Sequence, residues 1–254
     1  MKNVINWKLF FVLLIVCVIT SMLVIPYSLA LTSSDVEISA ILLLLSAAQN
    51  LVLFSVATFC GLFFSKRIGM GMPILQNVLE GKKQSKELKS IITPSVCLGI
   101  LAGILIVLLS IPFNTLIPEL QLSEASVSAW KAFLASFYGG IAEEILLRLF
   151  LVSLFVWISF KIKKTKDGHP TDFGIWVSII AASVIFGLGH LPVTAQITSL
   201  TGVVVIRAIV LNGVGGVIFG WLYWKKGLES AIIAHFSTDI VLHIITPLAV
   251  SFFS

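Results

Sequence analysis

The sequence predicts an all-α, polytopic membrane protein, a bundle of about seven transmembrane helices with an active site inside it. Three observations carry this reading. The 254 residues are 58% hydrophobic and only 11% charged, too little polar surface to clothe a soluble domain. Apolar runs of roughly 20 residues recur, each long enough to cross a bilayer as a helix. The short alternating segments of a β-barrel are missing from the pattern.

Seven spans follow, at about 9–31, 37–65, 91–117, 129–160, 173–191, 199–224 and 231–253. Their orientation comes from the distribution of positive charge. With the N-terminus in the cytoplasm, 14 of the 17 Lys and Arg residues fall on the inner side. They are Lys2 and Lys8, the group from Lys66 and Arg67 to Lys89, the group from Lys161 to Lys166, and Lys225 with Lys226. The outer segments carry Asp35, Glu37, Glu119 and Glu124, and Lys131, Arg148 and Arg207 lie inside spans. This segregation places the C-terminus outside. It also accounts for the net charge of +5 without a nucleic-acid partner, and the partner it implies is the lipid bilayer.

Smaller features read blandly. Lys2 and the passable cleavage site Ser28-Leu29-Ala30 fit a signal peptide. The run is longer than a usual signal core, so an uncleaved anchor is preferred. Cys17, Cys60 and Cys97 read as buried thiols without metal spacing. The 66–90 loop carries neither a dinucleotide fingerprint nor a P-loop, and reads as a solvated loop drawn to anionic lipid. Gly213, Gly216 and Gly220 read as close-packing positions.

The informative residues are ionisable groups within apolar runs. Such groups are costly in lipid and mark working sites facing a cavity or the bundle interior. Glu143, Glu144 and Arg148 occupy GGIAEEILLRLFLVSLF. On a helix, positions i and i+4 share a face, so Arg148 reaches Glu144 and leaves Glu143 without a local partner. A desolvated, unpaired carboxylate suits a general base or acid. His190 closes SVIFGLGHL, and His235 with Asp239 shares one face of AIIAHFSTDIVLH. Asp239 and His243 have the same spacing, so Asp239 has a competing role as the partner of His243. Carboxylates with imidazoles are what water activation needs, which points to a membrane-embedded hydrolase.

The order Glu143-Glu144-Ile-Leu-Leu-Arg148, Phe186-Gly-Leu-Gly-His190 and His235-Phe-Ser-Thr-Asp239 resembles the CAAX-protease and bacteriocin-processing (CPBP, or Abi) family of intramembrane peptidases. The stretch from Asn212 to Ser230 also resembles the family's run between its two His motifs. The resemblance covers about residues 129–243. It divides the chain into N-terminal spans with a basic loop, 1–125, and a peptidase core, 126–254. It implies that Glu143 and His190 activate water and that His235 and Asp239 line the site or stabilise the oxyanion. Glu144 and Arg148 are then supporting residues. The family commonly has Asn where this chain has Asp239, and a carboxylate is a poor oxyanion donor unless protonated.

The expectation is therefore an intramembrane endopeptidase in the plasma membrane of a bacterium, acting on a peptide or membrane-anchored protein. A metal-free glutamate mechanism is preferred. The alternative is Zn²⁺ held by His190, His235 and Glu143, although no HExxH motif supports it. Two other classes compete. One is a non-catalytic immunity or scaffold protein that binds a peptide in the same cavity. The other is a proton-coupled transporter, disfavoured because no internal repeat is visible.

Overall fold

The computed structural model describes residues 5–253, so Lys2 lies outside the described residues. Among the described residues seven helices are long and apolar enough to cross a membrane, and no strand forms. They are α1 (Trp7–Leu31), α2 (Ala40–Ile68), α4 (Ser85–Leu116), α6 (Ala129–Ile162), α7 (Asp172–Thr194), α8 (Gly202–Lys226) and α9 (Leu228–Val250). Two short helices, α3 (Pro73–Leu79) and α5 (Pro118–Ser126), lie between α2 and α4 and between α4 and α6. The seven expected spans are present. Their ends differ by up to six residues, because helix geometry continues into polar turns that hydropathy does not count. Asn6, Ser39, Thr171 and Thr201 cap α1, α2, α7 and α8 by accepting a backbone N–H, which satisfies donors that a helix start leaves open.

Small residues draw the helices together, as expected where lipid supplies no hydrophobic drive. A Cβ at Gly216 would lie 2.6 Å from Ser183 Cβ, and one at Gly220 2.6 Å from Ile179 Cγ2. The spacing argument holds for these two and fails for Gly213, where a Cβ would meet nothing within 4 Å. Gly213 precedes Gly216 by three residues, which rotates it off the contact face. Gly227, at φ 93°, alone separates α8 from α9 and supplies a backbone conformation that L side chains rarely adopt.

The 66–90 loop is more ordered than a solvated segment. Met70, Met72, Leu75 and Leu79 pack on the core. The Leu75 N–H donates to Glu229 Oε1 at 2.9 Å, and the Leu228 N–H donates to Gly71 O at 2.9 Å. Apolar residues scattered among lysines gave no periodic signal, and the buried Glu229 that anchors them is distant in sequence.

A large core cluster lies toward one end of the bundle, beside a pocket of about 580 Å³ bordered by Leu62 and Tyr223. The large core cluster draws on Leu9, Leu62, Val156, Ile175, Tyr223 and Leu228, all near the end that carries the Lys-rich segments. It takes residues from both the 1–125 and 126–254 segments. Toward the opposite end the helices enclose a cavity of about 530 Å³. Its walls include Tyr27 and Leu31 of α1, Asn114 of α4, Arg207 of α8 and Thr246 of α9. The helix α5 folds across this end, where the Ser123 hydroxyl donates to Leu31 O and Leu120 packs with Ile117 and Val204.

Candidate active site

The helix α6 departs from α geometry where its charges lie. Residues Tyr138–Glu143 and Ile145–Val152 are π-helical. Wider turns of this kind are rare and frequent at functional sites, because they re-aim side chains. Gly139 and Gly140 face α9. A Cβ at Gly139 would collide with Asp239 Oδ2 and lie 3.4 Å from His235 Nε2, and one at Gly140 would sit 3.0 Å from Phe236 Cβ. Glycine at both positions is what lets the acidic turn approach the His-Asp helix.

Arg148 and Glu144 form a buried ion pair, Nη1 to Oε1 at 2.8 Å, with side chains 2% and 0% exposed. The guanidinium also donates to Gly216 O at 3.2 Å and lies 5.1 and 5.3 Å from the ring centres of Phe186 and Phe219. One residue thus ties α6 to α7 and α8. The same Glu144 oxygen lies 2.7 Å from His235 Nδ1. An ionised carboxylate only accepts, so the proton sits on Nδ1. In the neutral ring, Nε2 then presents a lone pair to the cavity. The Phe219 ring stacks on His235, with centroids 4.6 Å apart and planes at 22°, and fixes the imidazole plane.

His235 Nε2 faces Glu143 Oε2 at 3.8 Å and Asp239 Oδ1 at 3.6 Å. Glu143, unlike Glu144, lines the cavity. His190 caps the Asp172–Gly189 segment of α7, and its Nδ1 lies 2.9 Å from Phe186 O, so Nδ1 donates and Nε2 is left free. The Phe186 ring lies between the two histidines, with centroids 4.9 Å from His190 and 5.8 Å from His235. The cavity therefore has Glu143, His190, His235 and Asp239 on its walls, delivered by α6, α7 and α9.

Asp239 and His243 both line the cavity, close enough for their charges to interact. Among the described residues no ion pair joins Asp239 to His243. His243 Nδ1 is instead 3.4 Å from the Tyr27 hydroxyl. Val241–Ile245 is a π turn. For a metal, no three His, Cys, Asp or Glu side chains among the described residues converge as a ligand group. In the set His190, His235 and Glu143, no ion pair or hydrogen bond joins His190 to Glu143.

Sequence reasoning missed α8 as a wall of the site. Asn212 and Phe219 stand seven residues apart on one face, and both line the cavity. An amide in an apolar span was the available signal. Phe219 gave none, since an aromatic in a membrane helix is ordinary. Arg207, unassigned from sequence, pairs with Glu124 of α5 at 3.1 Å.

The motif order and this geometry meet in a family comparison. Residues 125–241 match the family model described as Type II CAAX prenyl endopeptidase Rce1-like. This stretch is Rce1-like. No curated protein and no solved structure matches the chain. The match bears out the resemblance to the CAAX-protease and bacteriocin-processing family and supports, at the level of class, a CAAX-type intramembrane protease. It begins just before α6 and ends at the start of the π turn of α9, so the Rce1-like segment holds every cavity residue named above except Tyr27, Leu31, Asn114, Leu120, Glu124, His243 and Thr246.

Proposed function

We propose that this chain is an intramembrane endopeptidase whose nucleophile is a water activated by Glu143. The observation that carries this is the division of labour between neighbouring carboxylates. Glu144 is held by Arg148 and His235, while Glu143 opens into the cavity beside His190, His235 and Asp239. Glu143 takes a proton from water, assisted by His190, and the hydroxide adds to the peptide carbonyl carbon. The C–N bond then breaks, and the proton passes to the leaving amine. His235, aligned by Glu144 and Phe219, and Asp239 face the developing oxyanion, and a proton shared between His235 Nε2 and Asp239 supplies the donor that stabilises it. The substrate is a peptide or membrane-anchored protein segment that reaches the cavity through the bilayer. Hydrolysis by Glu143→Gln is the deciding measurement.

The reading favours a metal-free site and makes Asp239 a test of it. With Nδ1 protonated toward Glu144, the His235 Nε2 lone pair faces Asp239 Oδ1 at 3.6 Å. An amide at position 239 would donate to it, so Asp239→Asn is expected to keep activity within a few-fold, and chelators are expected to change nothing. If His190, His235 and a carboxylate hold Zn²⁺ instead, chelation inactivates and zinc restores, and where that carboxylate is Asp239 rather than Glu143, Asp239→Asn loses the metal. Stoichiometric zinc lost in that variant would sink the metal-free mechanism.

Orientation follows from charge. The Lys-rich segments flank the end of the bundle that holds the large core cluster, so we place that end in the cytoplasm, the cavity mouth on the opposite side, and the whole in a bacterial plasma membrane. In a chain lacking its own three cysteines, Gln121→Cys is expected to react with a membrane-impermeant maleimide added to intact cells. Lys83→Cys is expected to react only after lysis. The reverse pattern would invert the topology.

A further inference from the structure

The guanidinium of Arg207 is placed where a substrate would pass, and most of its donors are unused. The residue lies within the sixth membrane span with its side chain only 15% exposed, and it lines the same cavity as Glu143 and His190. Its depth is set by helix packing. Gly187, one turn before His190, sits against the backbone of Ala208 and Ile209, where a Cβ would be 2.6 Å from Ile209 Cα. Arg207 and His190 therefore stand at the same level of the bundle. Among the described residues its one partner is Glu124, reached through Nη2 at 3.1 Å. A guanidinium carries five N–H donors in a planar fork, and only Nη2 is engaged, at the wall of the cavity that Arg207 lines. Glu124 is a weak hold, since it is 42% exposed and solvent screens such pairs. It also lies on the short helix α5 rather than in the bundle.

We infer that Arg207 is the carboxylate-binding residue of this cavity: it engages a carboxylate of the bound peptide, and Glu124 occupies that position when no peptide is present. The fork of an arginine matches the two oxygens of a carboxylate. An entering carboxylate exchanges one ion pair for another in a less hydrated place, at little cost in uncompensated charge. Glu124 then swings out with α5, widening the mouth. The inference deepens the peptidase reading and rests on it for the nature of the ligand. Arg207 is a specificity residue, with no part in water activation.

The test measures binding, not turnover. Full-length Glu143→Gln protein in lipid nanodiscs is titrated with dansylated, S-farnesylated peptides ending in Cys-Val-Ile-Met, a C-a-a-X sequence. One peptide is the free acid and one the amide. A third is an amide with Asp as its last residue. The acid is expected to bind roughly tenfold to a hundredfold tighter than the plain amide, the range for hydrogen bonds to a charged group. Tight binding of the acid alone assigns the site to an α-carboxylate, and tight binding of the Asp peptide extends it to side chains. Arg207→Gln is expected to erase the preference, and Glu124→Gln to strengthen acid binding by removing the competitor. A damaged fold would not produce these opposite signs. Equal affinity for all three peptides, no binding by any, or a preference that survives Arg207→Gln overturns the inference. Selective binding by a wild-type protein that hydrolyses none of them would leave Arg207 in its role and remove the peptidase reading.

Discussion

Glu143→Gln is expected to lower the rate of peptide hydrolysis by ~10²–10⁴, the usual cost of losing a general base, with membrane insertion and yield unchanged. The substitution is nearly isosteric and keeps a hydrogen-bonding head on the cavity wall, so only the proton acceptor is lost. The Glu143 side chain makes no hydrogen bond within the protein among the described residues, and it pairs only with His235 at 3.8 Å, so the fold does not lean on it. The matched control is Glu144→Gln. It removes the charge that Arg148 and His235 share, leaving them an amide oxygen alone, and should reduce both stability and activity. Wild-type turnover by Glu143→Gln would end the peptidase mechanism and favour a cavity that binds peptides without cutting them.

Arg148→Ala is expected to be the most destabilising single change in the site. It leaves Glu144 fully buried without its cation, strips Gly216 O of its donor, and empties the space between Phe186 and Phe219. Removing one partner of a buried pair costs about 3–5 kcal/mol, a large share of the ~5–15 kcal/mol that holds a typical domain together. Thermal unfolding in detergent should show a large fall in midpoint, with low yield. The double variant Glu144→Leu with Arg148→Met removes both charges and should recover much of that stability, since apolar pairs often replace buried ion pairs at no net cost. Activity should not return, because His235 has lost the carboxylate that orients it. An unchanged midpoint in Arg148→Ala would mean that the pair contributes no net stability.

Parts of the site were legible in the sequence because they depend on local spacing. Glu144 and Arg148 meet as i, i+4 neighbours even through a π turn, since the long arginine side chain spans the altered geometry. Asp239 and His243, at the same spacing, interact through their charges without a direct ion pair among the described residues, with the π turn at Val241–Ile245 between them. The packing role of Gly216 and Gly220 was legible, while Gly213 was misjudged by less than one helical turn. The docking of residues 70–79 on Glu229 was not legible. A contact between residues 154 positions apart leaves no periodic trace.

Composition, run length and the distribution of lysine and arginine determined by themselves that this is a helical membrane bundle with seven spans. Those properties answer to the bilayer, which reads each segment independently of its neighbours. The ionisable residues within apolar runs also declared themselves, because lipid makes such groups too costly to be incidental. Tertiary structure alone decided which of them share a cavity, which imidazole nitrogen faces it, and that Phe219, Asn212 and Arg207 complete its wall. These facts depend on how helices rotate and cross. That is set by contacts such as Gly216 on Ser183 and Gly139 on Asp239, each between residues far apart in the chain.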